Sequence, residues 1–378
     1  MSWDLAVVGL GAMGSATLWR AASRGVRAVG LDRFDPPHDR GSTHGQARVI
    51  RTAYAEDPAY VPLVRAAFPL WRELESGAGE TLLVMTGAAM IGPAGSDVVG
   101  GALRSAQLHG LDHDLLDAEQ ASRRFPQFRL REDDVVFWER DAGVLRPEAC
   151  VAAALRSAKR GGAEVRTNTR VELVEPHGDG VRVHVEDGII EARRAVVCAG
   201  PWTAELLPQL PVPLWVERQV NAWFPTREPD LYQPPRFPVF IRHEPGGRRI
   251  YGTPGLDGGA TIKLAVHHEG ARVQPDTVPR EVTDADLAPL RQHVTEWMHA
   301  VDPTPLRSIT CMYTNTPDEN FVIDALPGAP QITVVSACSG HGFKFAGVIG
   351  DVAVDLAVDG GTARPIDAFS LRRFTQVA

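Results

Sequence analysis

The first 35 residues alternate apolar and polar positions in a pattern that predicts a strand, a helix and a second strand. The run "DLAVVGLGAMGSATLWRAASRGVRAVGLDRFD" (4–35) begins with an apolar strand and passes through a glycine-rich turn. It continues with helical periodicity and ends in another apolar strand. This order is typical of the first unit of a doubly wound α/β sheet.

Two later segments predict that the chain returns to this sheet. Residues 164–202 contain short strands that end in "AVVCAGPW" (195–202), and residues 332–360 contain a strand, a glycine-rich turn and a helix. A nicotinamide dehydrogenase usually completes its nucleotide-binding sheet in one continuous block, whereas flavoproteins with a two-part dinucleotide fold return to it after a meander. The pattern therefore favours FAD over NAD.

The segments between these returns alternate in polarity and predict a second domain. We expect an α/β fold, α+β overall, with a Rossmann-like FAD-binding domain and an interleaved substrate domain built on a mixed or antiparallel sheet. The FAD-binding domain is predicted to contain 1–80, 145–212 and 320–378, and the substrate domain 81–144 and 213–319. Helices are predicted at 60–75, 98–109, 117–124 and 287–301, and the apolar stripe of the first is expected in the core.

Gly9, Gly11 and Gly14 form a G-x-G-x-x-G motif between the first predicted strand and its helix. The first glycine allows the tight turn, the second lets the backbone approach a pyrophosphate, and the third lets the helix pack on the strand. The helix N-terminus offers free N–H groups to the phosphates. Asp32 follows Gly14 by eighteen residues, where a carboxylate can accept hydrogen bonds from ribose hydroxyls. Together these residues predict a bound dinucleotide.

Composition narrows the class of protein. The 378 residues are 44% hydrophobic and 23% charged with a net charge of −8, which gives no electrostatic footprint for nucleic acid. No run of eighteen apolar residues suggests a membrane span, and the residues before the first strand show no basic n-region, cleavage site or Arg-rich transit stretch. Four cysteines without paired spacing fit a reduced cytoplasm. We therefore expect a cytoplasmic protein without a membrane or nucleic-acid partner.

The segment "DPPHDRGSTHGQARVIR" (35–51) is predicted to be a loop that presents cations. It contains Ser42, His44, Arg48 and Arg51 and follows the second strand, whose carboxyl end faces the bound cofactor in this fold. Cations there can hold a substrate carboxylate and stabilise a negatively charged reduced flavin. A solvated basic loop is the alternative interpretation.

Lys263 and Lys344 are two further candidate cations. Lys263 lies in the apolar strand "ATIKLAVHHEG" and points away from its neighbours, towards either solvent or the cofactor. His267 lies on the same face, but no third residue at a suitable spacing makes it and His268 a metal site. Lys344 lies in "SGHGFKF" near a predicted helix start, where its charge opposes the helix dipole and predicts a nearby anion, either a substrate carboxylate or a surface acid.

No hydrolase motif is present, and the acids Asp318, Glu319 and Asp324 give only a weak metal cluster. We expect no metal. Cys311 stands out because it is flanked by polar residues in "SITCMYTNTPDENFVID" (308–324). The other cysteines, Cys150, Cys198 and Cys338, lie among small apolar residues that suit packing.

With these residues identified, the chain resembles the monomeric sarcosine oxidase and N-methyltryptophan oxidase group of flavin amine oxidases, within the D-amino-acid oxidase superfamily. The resemblance runs along the whole chain. It rests on "GLGAMGSA", "DPPHDRGSTHGQARVIRTAY", "YVPLV", "VCAGPW", "IKL", "TCMYTNTPDENFVID" and "SGHGFKF". The last three segments, in that order, are highly specific.

The resemblance implies a role for each matching residue. Cys311 would bond covalently to the flavin. His44, Arg48 and Arg51 match the family's active-site loop, in which Arg48 would lie against the flavin ring. Arg51 and Lys344 would bind the substrate carboxylate, while Lys263 would lie on the other flavin face, where oxygen is reduced. Further matching positions would line the substrate pocket: Tyr251, His267, Gly340 and Tyr313. Further residues would complete the cofactor site with the Gly motif and Asp32: Ser42, Gly342 and Lys344.

The implied reaction is the FAD-dependent oxidation of a secondary, N-methylated amino acid to an imine, followed by hydrolysis, with oxygen reduced to hydrogen peroxide. The expected enzyme is a monomer. Three segments depart from the family pattern, at Thr43, "YGTPGLDGGATIKL" and "LAVHHEG". These changes affect the substrate pocket and leave the identity of the substrate open.

The alternative functions are an oxidase for cyclic imino acids such as pipecolate or proline, and a flavin amine dehydrogenase with another electron acceptor. A nicotinamide dehydrogenase would rest on the glycine motif alone. A catalytically silent flavin-bearing subunit is disfavoured by Arg48, Lys263 and Lys344.

Overall fold

The computed structural model describes residues 3–336 and 339–375, so Cys338 lies outside the described residues. The strands are β1 (Trp3–Val8), β2 (Ala28–Leu31), β3 (Arg48–Arg51), β4 (Leu83–Met85), β5 (Ala88–Pro93), β6 (Asp114–Leu116), β7 (Asp134–Glu139), β8 (Ala142–Leu145), β9 (Glu164–Arg166), β10 (Val171–His177), β11 (Gly180–Val185), β12 (Gly188–Val197), β13 (Trp215–Pro225), β14 (Val239–His243), β15 (Arg249–Pro254), β16 (Thr261–His267), β17 (Arg272–Val273), β18 (Arg307–Asn315), β19 (Val322–Leu326) and β20 (Ala329–Ser336). The helices are α1 (Ala12–Ser23), α2 (Val61–Ala78), α3 (Asp97–His109), α4 (Ala118–Arg124), α5 (Pro147–Arg160), α6 (Thr203–Leu206), α7 (Pro229–Tyr232), α8 (Asp284–Trp297), α9 (Ala346–Val354) and α10 (Arg372–Thr375).

The amino-terminal strand lies at the centre of an eight-stranded sheet. Its parallel strands follow the order β9-β2-β1-β12-β20. The antiparallel strands β10 and β11 lead into β12, and β19 pairs with β20. Both predicted returns to the sheet are therefore confirmed. Strand β1 is buried from Leu5 to Val8, because helices cover the sheet on one side.

A second, nine-stranded sheet is mixed, as the alternating sequence pattern predicted. Its order is β17-β13-β16-β15-β14-β5-β7-β6, with β18 also paired to β13. All of its pairs are antiparallel except β14 with β5. Strands β16 and β18 bring Lys263 and Cys311 into this sheet, on either side of β13.

A small third sheet contains β3, β8 and β4 and holds Arg48 and Arg51 of the cationic segment. The loop prediction for 35–51 is wrong at its end, because Arg48–Arg51 forms a strand. This strand pairs antiparallel with Ala142–Leu145. Val49 and Ile50 provide the β-branched side chains that favour a strand.

The predicted helices are confirmed, with shifted ends. Helix α2 buries the predicted apolar stripe, which contains Leu63, Val64, Ala67, Trp71 and Leu74, with Phe68 packed against it. Helix α8 begins at Asp284, earlier than predicted, because Thr283 and Asp286 form a capping box. Within the described chain, no helix has the length and apolar character needed to cross a membrane.

Candidate active site

A cavity of about 540 Å³ extends from the carboxyl end of β1 to the second sheet. It is lined by most of the residues that the sequence predicts for the site: Gly9, Gly11, Asp32, Ser42, Arg48, Arg51, Tyr251, His267, Cys311, Tyr313, Gly340, Gly342 and Lys344. Gly14, His44 and Lys263 are absent from its lining. The structure therefore places one end of the cavity at the glycine motif and the other at the predicted substrate residues.

The glycine motif shapes the first end of this cavity. Gly9 has a φ of +86°, and a Cβ at this position would lie 2.6 Å from the carbonyl oxygen of Cys198. A Cβ on Gly14 would lie 1.7 Å from the carbonyl oxygen of Gly9, so only glycine lets α1 approach β1 this closely. Asp32 is buried and its carboxylate accepts a hydrogen bond of 2.7 Å from the Leu10 amide, which fixes it beside the turn. These contacts fit the predicted roles of the motif in holding a dinucleotide.

Cys311 lies in a cationic environment deep in the cavity wall. Its side chain is buried, and its sulfur lies 3.7 Å from Arg48 Nη2 and 3.6 Å from the Ser42 carbonyl oxygen. Burial raises the pKa of the thiol, but His44, Arg48 and Lys263 outweigh this effect and lower the pKa to about 6. The cations around Cys311 therefore favour its thiolate, the form that acts as a nucleophile.

Two polar atoms beside this cysteine are buried without hydrogen-bond partners among the described residues. They are Ser42 Oγ and His44 Nε2. Arg48, in contrast, is held by the carbonyl oxygens of Ala47 and Ser42, each 2.8 Å from its guanidinium nitrogens. Since buried polar groups normally have partners, and Ser42 lines the cavity, its orphaned Oγ indicates that this part of the cavity accommodates a polar ligand.

Lys263 faces the protein interior, so the interpretation of a solvent-facing lysine is wrong. Its Nζ donates to the carbonyl oxygens of Gly45 and Ala47 at 2.9 and 3.0 Å, and it lies 5.4 Å from the centre of the Trp223 ring. Burial lowers its pKa well below the ordinary lysine value, and the Arg48 cation adds to this shift. The lysine is thus a buried group linked to the backbone between His44 and Arg48.

Arg51 and Glu56 form an ion pair at the other end of the cavity. Arg51 is buried, and its Nη2 lies 2.5 Å from Glu56 Oε2, while Nη1 donates to the Ala53 carbonyl oxygen at 2.7 Å. Burial would lower the pKa of Arg51, but the Glu56 carboxylate outweighs it and raises the pKa. Burial likewise acts to raise the pKa of Glu56, yet Arg51 holds it well below the usual range. The guanidinium therefore binds a carboxylate in this structure, and that carboxylate belongs to the protein.

Lys344 is a second buried cation near this ion pair. Its Nζ donates to the His341 carbonyl oxygen at 2.7 Å and to the Tyr54 hydroxyl at 3.3 Å. Burial, with Arg51 nearby, lowers the pKa of Lys344 to about 7, although Glu56 opposes the shift. The expectation of a nearby anion is met by Glu56.

Aromatic side chains line the wall between the two cationic clusters. The Tyr251 hydroxyl donates to Asn221 Oδ1 at 3.2 Å, and His267 Nδ1 lies 3.4 Å from the Tyr313 hydroxyl. Gly340 is required beside them, because a Cβ there would lie 2.5 Å from the Tyr313 ring. These residues were predicted to line the substrate pocket, and the structure brings them to one wall of the cavity.

Sequence reasoning missed four residues of the site: Glu56, Tyr54, Asn221 and Glu139. Glu139 is buried behind Arg51, and its Oε2 accepts hydrogen bonds from the Thr52 and Ala53 amides at 3.1 and 2.9 Å. Glu56 follows the cationic strand by five residues, and this acid next to the arginines was an available signal. The other three carry no local signal, because their burial depends on distant segments.

His268 does not belong to a group of metal ligands within the described residues. In the part of the chain that the structure covers, no three His, Cys, Asp or Glu side chains are grouped so that they could hold a metal ion. His268 instead lies 3.6 Å from Glu217, a carboxylate that also accepts hydrogen bonds from the Gly270 amide and from Asn315.

Comparison with known proteins gives matches along nearly the whole chain. A family model described as FAD dependent oxidoreductase matches residues 4–356. The chain is 41% identical over 375 residues to a monomeric sarcosine oxidase of Streptomyces avermitilis, and the match covers 98% of each chain. It is 35% identical to the N-methyl-L-tryptophan oxidase of Salmonella heidelberg, with both chains covered completely. Among solved structures, it is similar to NikD, an unusual amino acid oxidase essential for nikkomycin biosynthesis. The TM-score is 0.84 and the identity 27%, with 98% of this chain and 97% of that chain covered.

Proposed function

The chain belongs to the FAD dependent oxidoreductase family, and from this premise we propose that it oxidises a secondary, N-methylated amino acid to an imine that water hydrolyses. The similarity to a monomeric sarcosine oxidase and an N-methyl-L-tryptophan oxidase supports an amino acid with a secondary amine as the substrate class. We propose molecular oxygen as the electron acceptor and hydrogen peroxide as the second product.

The observation on which this proposal rests is the pair of buried cations at one end of the cavity. Arg51 already binds a carboxylate, that of Glu56. Lys344 lies near enough to interact electrostatically with both of these residues. A guanidinium binds a carboxylate through two parallel hydrogen bonds and so fixes its orientation. We therefore assign the substrate carboxylate to this position, where it displaces Glu56.

The remaining cavity fits FAD. The glycine turn and Asp32 suit its dinucleotide, and the orphaned Ser42 Oγ suits a polar ring system. When bound, FAD supplies the two-electron oxidation of the substrate and the transfer of those electrons to an acceptor. Holding FAD would fall to the glycine motif, Asp32, Ser42, Gly342 and Cys311.

The protein contributes position and electrostatics. Arg51 and Lys344 hold the carboxylate, so that the substrate's C–H bond keeps one orientation in the cavity. Their charges also favour the neutral form of the nearby amine, and the amine must be neutral to be oxidised. Bound carboxylate in turn favours the protonated form of Lys344, whose pKa lies at about 7 in its absence.

We propose a covalent bond between the Cys311 sulfur and the flavin. The lowered pKa of this thiol and its position in the cavity wall support the assignment. We assign Lys263 to the reaction with oxygen, because it is a buried amine that donates to the backbone between His44 and Arg48, and its protonated form attracts reduced oxygen species.

We also propose that the enzyme acts in the cytoplasm as a monomer. The unpaired cysteine spacing and the name of the monomeric relative support this assignment. Size-exclusion chromatography with light scattering measures the oligomeric state directly, and a dimer mass would contradict the proposal.

A peroxide-coupled screen of purified holoenzyme tests the function. The substrates are N-methyl amino acids of increasing side-chain size, cyclic imino acids and the corresponding primary amino acids. We expect peroxide with N-methyl amino acids and much slower turnover of primary ones. Turnover of the cyclic compounds alone would replace the proposed substrate class. Substrate-dependent bleaching of the flavin without peroxide would assign another electron acceptor.

A further inference from the structure

Tyr54 is an uncharged core residue that contacts both cations of the carboxylate site, Arg51 and Lys344. It is fully buried, and its ring lies 4.5 Å from the Arg51 guanidinium carbon. Its hydroxyl oxygen lies 3.3 Å from Lys344 Nζ and 2.6 Å from His341 Nδ1. One side chain therefore links the two groups that hold the substrate carboxylate in the proposed function.

The direction of these hydrogen bonds follows from His341. Its Nε2 lies 3.1 Å from the carbonyl oxygen of Glu319, which can only accept, so Nε2 is the protonated nitrogen. Burial lowers the pKa of His341 to about 4, so the ring is neutral and Nδ1 is an acceptor. The Tyr54 hydroxyl must then donate to Nδ1, and its oxygen is free to accept from Lys344.

This arrangement restricts the ammonium group of Lys344. A lysine has three N–H donors, and two of them are directed to the Tyr54 hydroxyl and to the His341 carbonyl oxygen. One donor remains for an anion in the cavity that Lys344 lines. The guanidinium of Arg51 is held in a similar way, by the Ala53 carbonyl oxygen and the face of the Tyr54 ring.

We propose that Tyr54 and His341 are positioning residues of the carboxylate site. His341 orients the Tyr54 hydroxyl, the hydroxyl aligns the ammonium of Lys344, and the Tyr54 ring supports the guanidinium of Arg51. This inference rests on the proposed function, because it takes the Arg51–Lys344 site as the place where the substrate carboxylate binds.

Tyr54→Phe tests the role of the hydroxyl and keeps the ring beneath Arg51. Tyr60→Phe is the matched control. Tyr60 is equally buried and its ring lies 4.7 Å from that of Tyr54, but its hydroxyl donates to Asn320 Oδ1 and accepts no hydrogen bond from Lys344. Both substitutions remove one buried hydroxyl from the same aromatic cluster, so a general loss of packing or stability affects both variants alike.

The measurement is the binding of acetate to oxidised holoenzyme, followed through the flavin absorbance between pH 6 and 9. We expect Tyr54→Phe to weaken binding about tenfold, within the range for a misaligned charged hydrogen bond, and Tyr60→Phe to bind like wild type. His341→Leu should weaken binding to a similar degree. His341→Gln should restore part of it, because its amide can accept from Tyr54 and donate to Glu319.

The pH profile separates alignment from structure. In wild type, acetate binding should weaken as the pH rises through the Lys344 pKa of about 7. In Tyr54→Phe this transition should move to lower pH, because the ammonium loses an acceptor that favours its charged form. Arg51, Glu56 and Arg48 also act on Lys344, and they are the same in both proteins.

Three outcomes are decisive. Weakened binding with a displaced pH profile in Tyr54→Phe, but not in Tyr60→Phe, supports the proposal. Equal acetate affinity and equal profiles in wild type and Tyr54→Phe would overturn it and leave the proposed function intact. A wild-type holoenzyme that binds no acetate would instead overturn the assignment of the carboxylate site, and with it this inference.

Discussion

Glu56 lies against Arg51 with 2.5 Å between its Oε2 and the guanidinium Nη2, in the position that the proposed function gives to a substrate carboxylate. A bound substrate must therefore compete with a carboxylate of the protein itself. Because about a quarter of the Glu56 side chain is exposed, it can leave the site without crossing the core.

Replacing Glu56 by Gln should strengthen substrate binding. The competing charge is removed while Arg51 keeps its hydrogen bond to Ala53, so we expect the Kd for acetate to fall about tenfold, equivalent to about 1.4 kcal/mol. Asp57→Asn removes the neighbouring negative charge, whose side chain contacts Ala59 instead of Arg51, and should leave the Kd unchanged. A weaker affinity in Glu56→Gln would show that Glu56 organises Arg51 and does not compete with the ligand.

Replacing Lys263 by Met should affect one half of the catalytic cycle. We expect the reaction of reduced holoenzyme with oxygen to slow about a hundredfold, as for other buried electrostatic groups, and reduction by substrate to change little. Stopped-flow absorbance measures the two reactions separately. Arg307→Met is the control. Arg307 is a second cation near the Trp223 ring, with its guanidinium carbon 3.9 Å from the ring centre, but its side chain is exposed. Equal losses in both reactions of Lys263→Met would exclude a specific role with oxygen.

The covalent bond to Cys311 has a direct test. After precipitation with acid, the flavin should remain with the wild-type protein and with Cys198→Ser, and it should be released from Cys311→Ser. Cys198 is a suitable control because it lines the same cavity at the glycine turn. Release of the flavin from fully loaded wild-type protein would contradict the bond.

Glu139 should make stability depend on pH. Burial raises its pKa to about 7, against hydrogen bonds from Ala53 and Thr52 and the charge of Arg51. Between the ordinary pKa of 4.5 and this raised value, the folded protein keeps a proton on Glu139 that the unfolded chain releases. The stability provided by protonated Glu139 is therefore fully present below pH 4.5 and is lost as the pH rises through about 7. Glu139→Gln cannot ionise and so lacks this pH dependence. Its free energy of unfolding, relative to that of wild type, should increase by up to about 3 kcal/mol between pH 5 and 7.5.

Guanidinium unfolding of both proteins at the two pH values measures this difference. Exposed Glu132→Gln serves as the control and should show no such change. A constant difference between Glu139→Gln and wild type would mean that Glu139 is ionised throughout this range.

The parts of the structure that were predictable from sequence depend on local patterns. The turn from Gly9 to Gly14 is specified by the glycines themselves, and helix α2 by the spacing of its apolar residues. Local patterns identified the cationic residues, the resemblance to flavin amine oxidases assigned their roles, and the structure brings Arg51 and Lys344 to one end of the cavity.

The rest depends on contacts between distant segments. Strand alternation showed that Lys263 points away from Ile262 and Leu264, but not that the carbonyl oxygens of Gly45 and Ala47 receive its ammonium group. Likewise, nothing local marks Tyr54 or Glu139, because their partners come from other parts of the chain. Arg48 and Arg51 were assigned to a loop because their pairing strand, Ala142–Leu145, lies more than ninety residues later.

The most direct test of the carboxylate site compares an N-methyl amino acid with the amine that lacks only its carboxylate. The ratio of kcat/KM should exceed about a hundredfold in wild type, because two charge-assisted interactions are lost, each worth about 1.5–3 kcal/mol. In the double variant Arg51→Gln/Lys344→Gln this ratio should fall towards one. Comparable kcat/KM values for the two compounds in wild type would contradict the assignment of Arg51 and Lys344 to the substrate carboxylate.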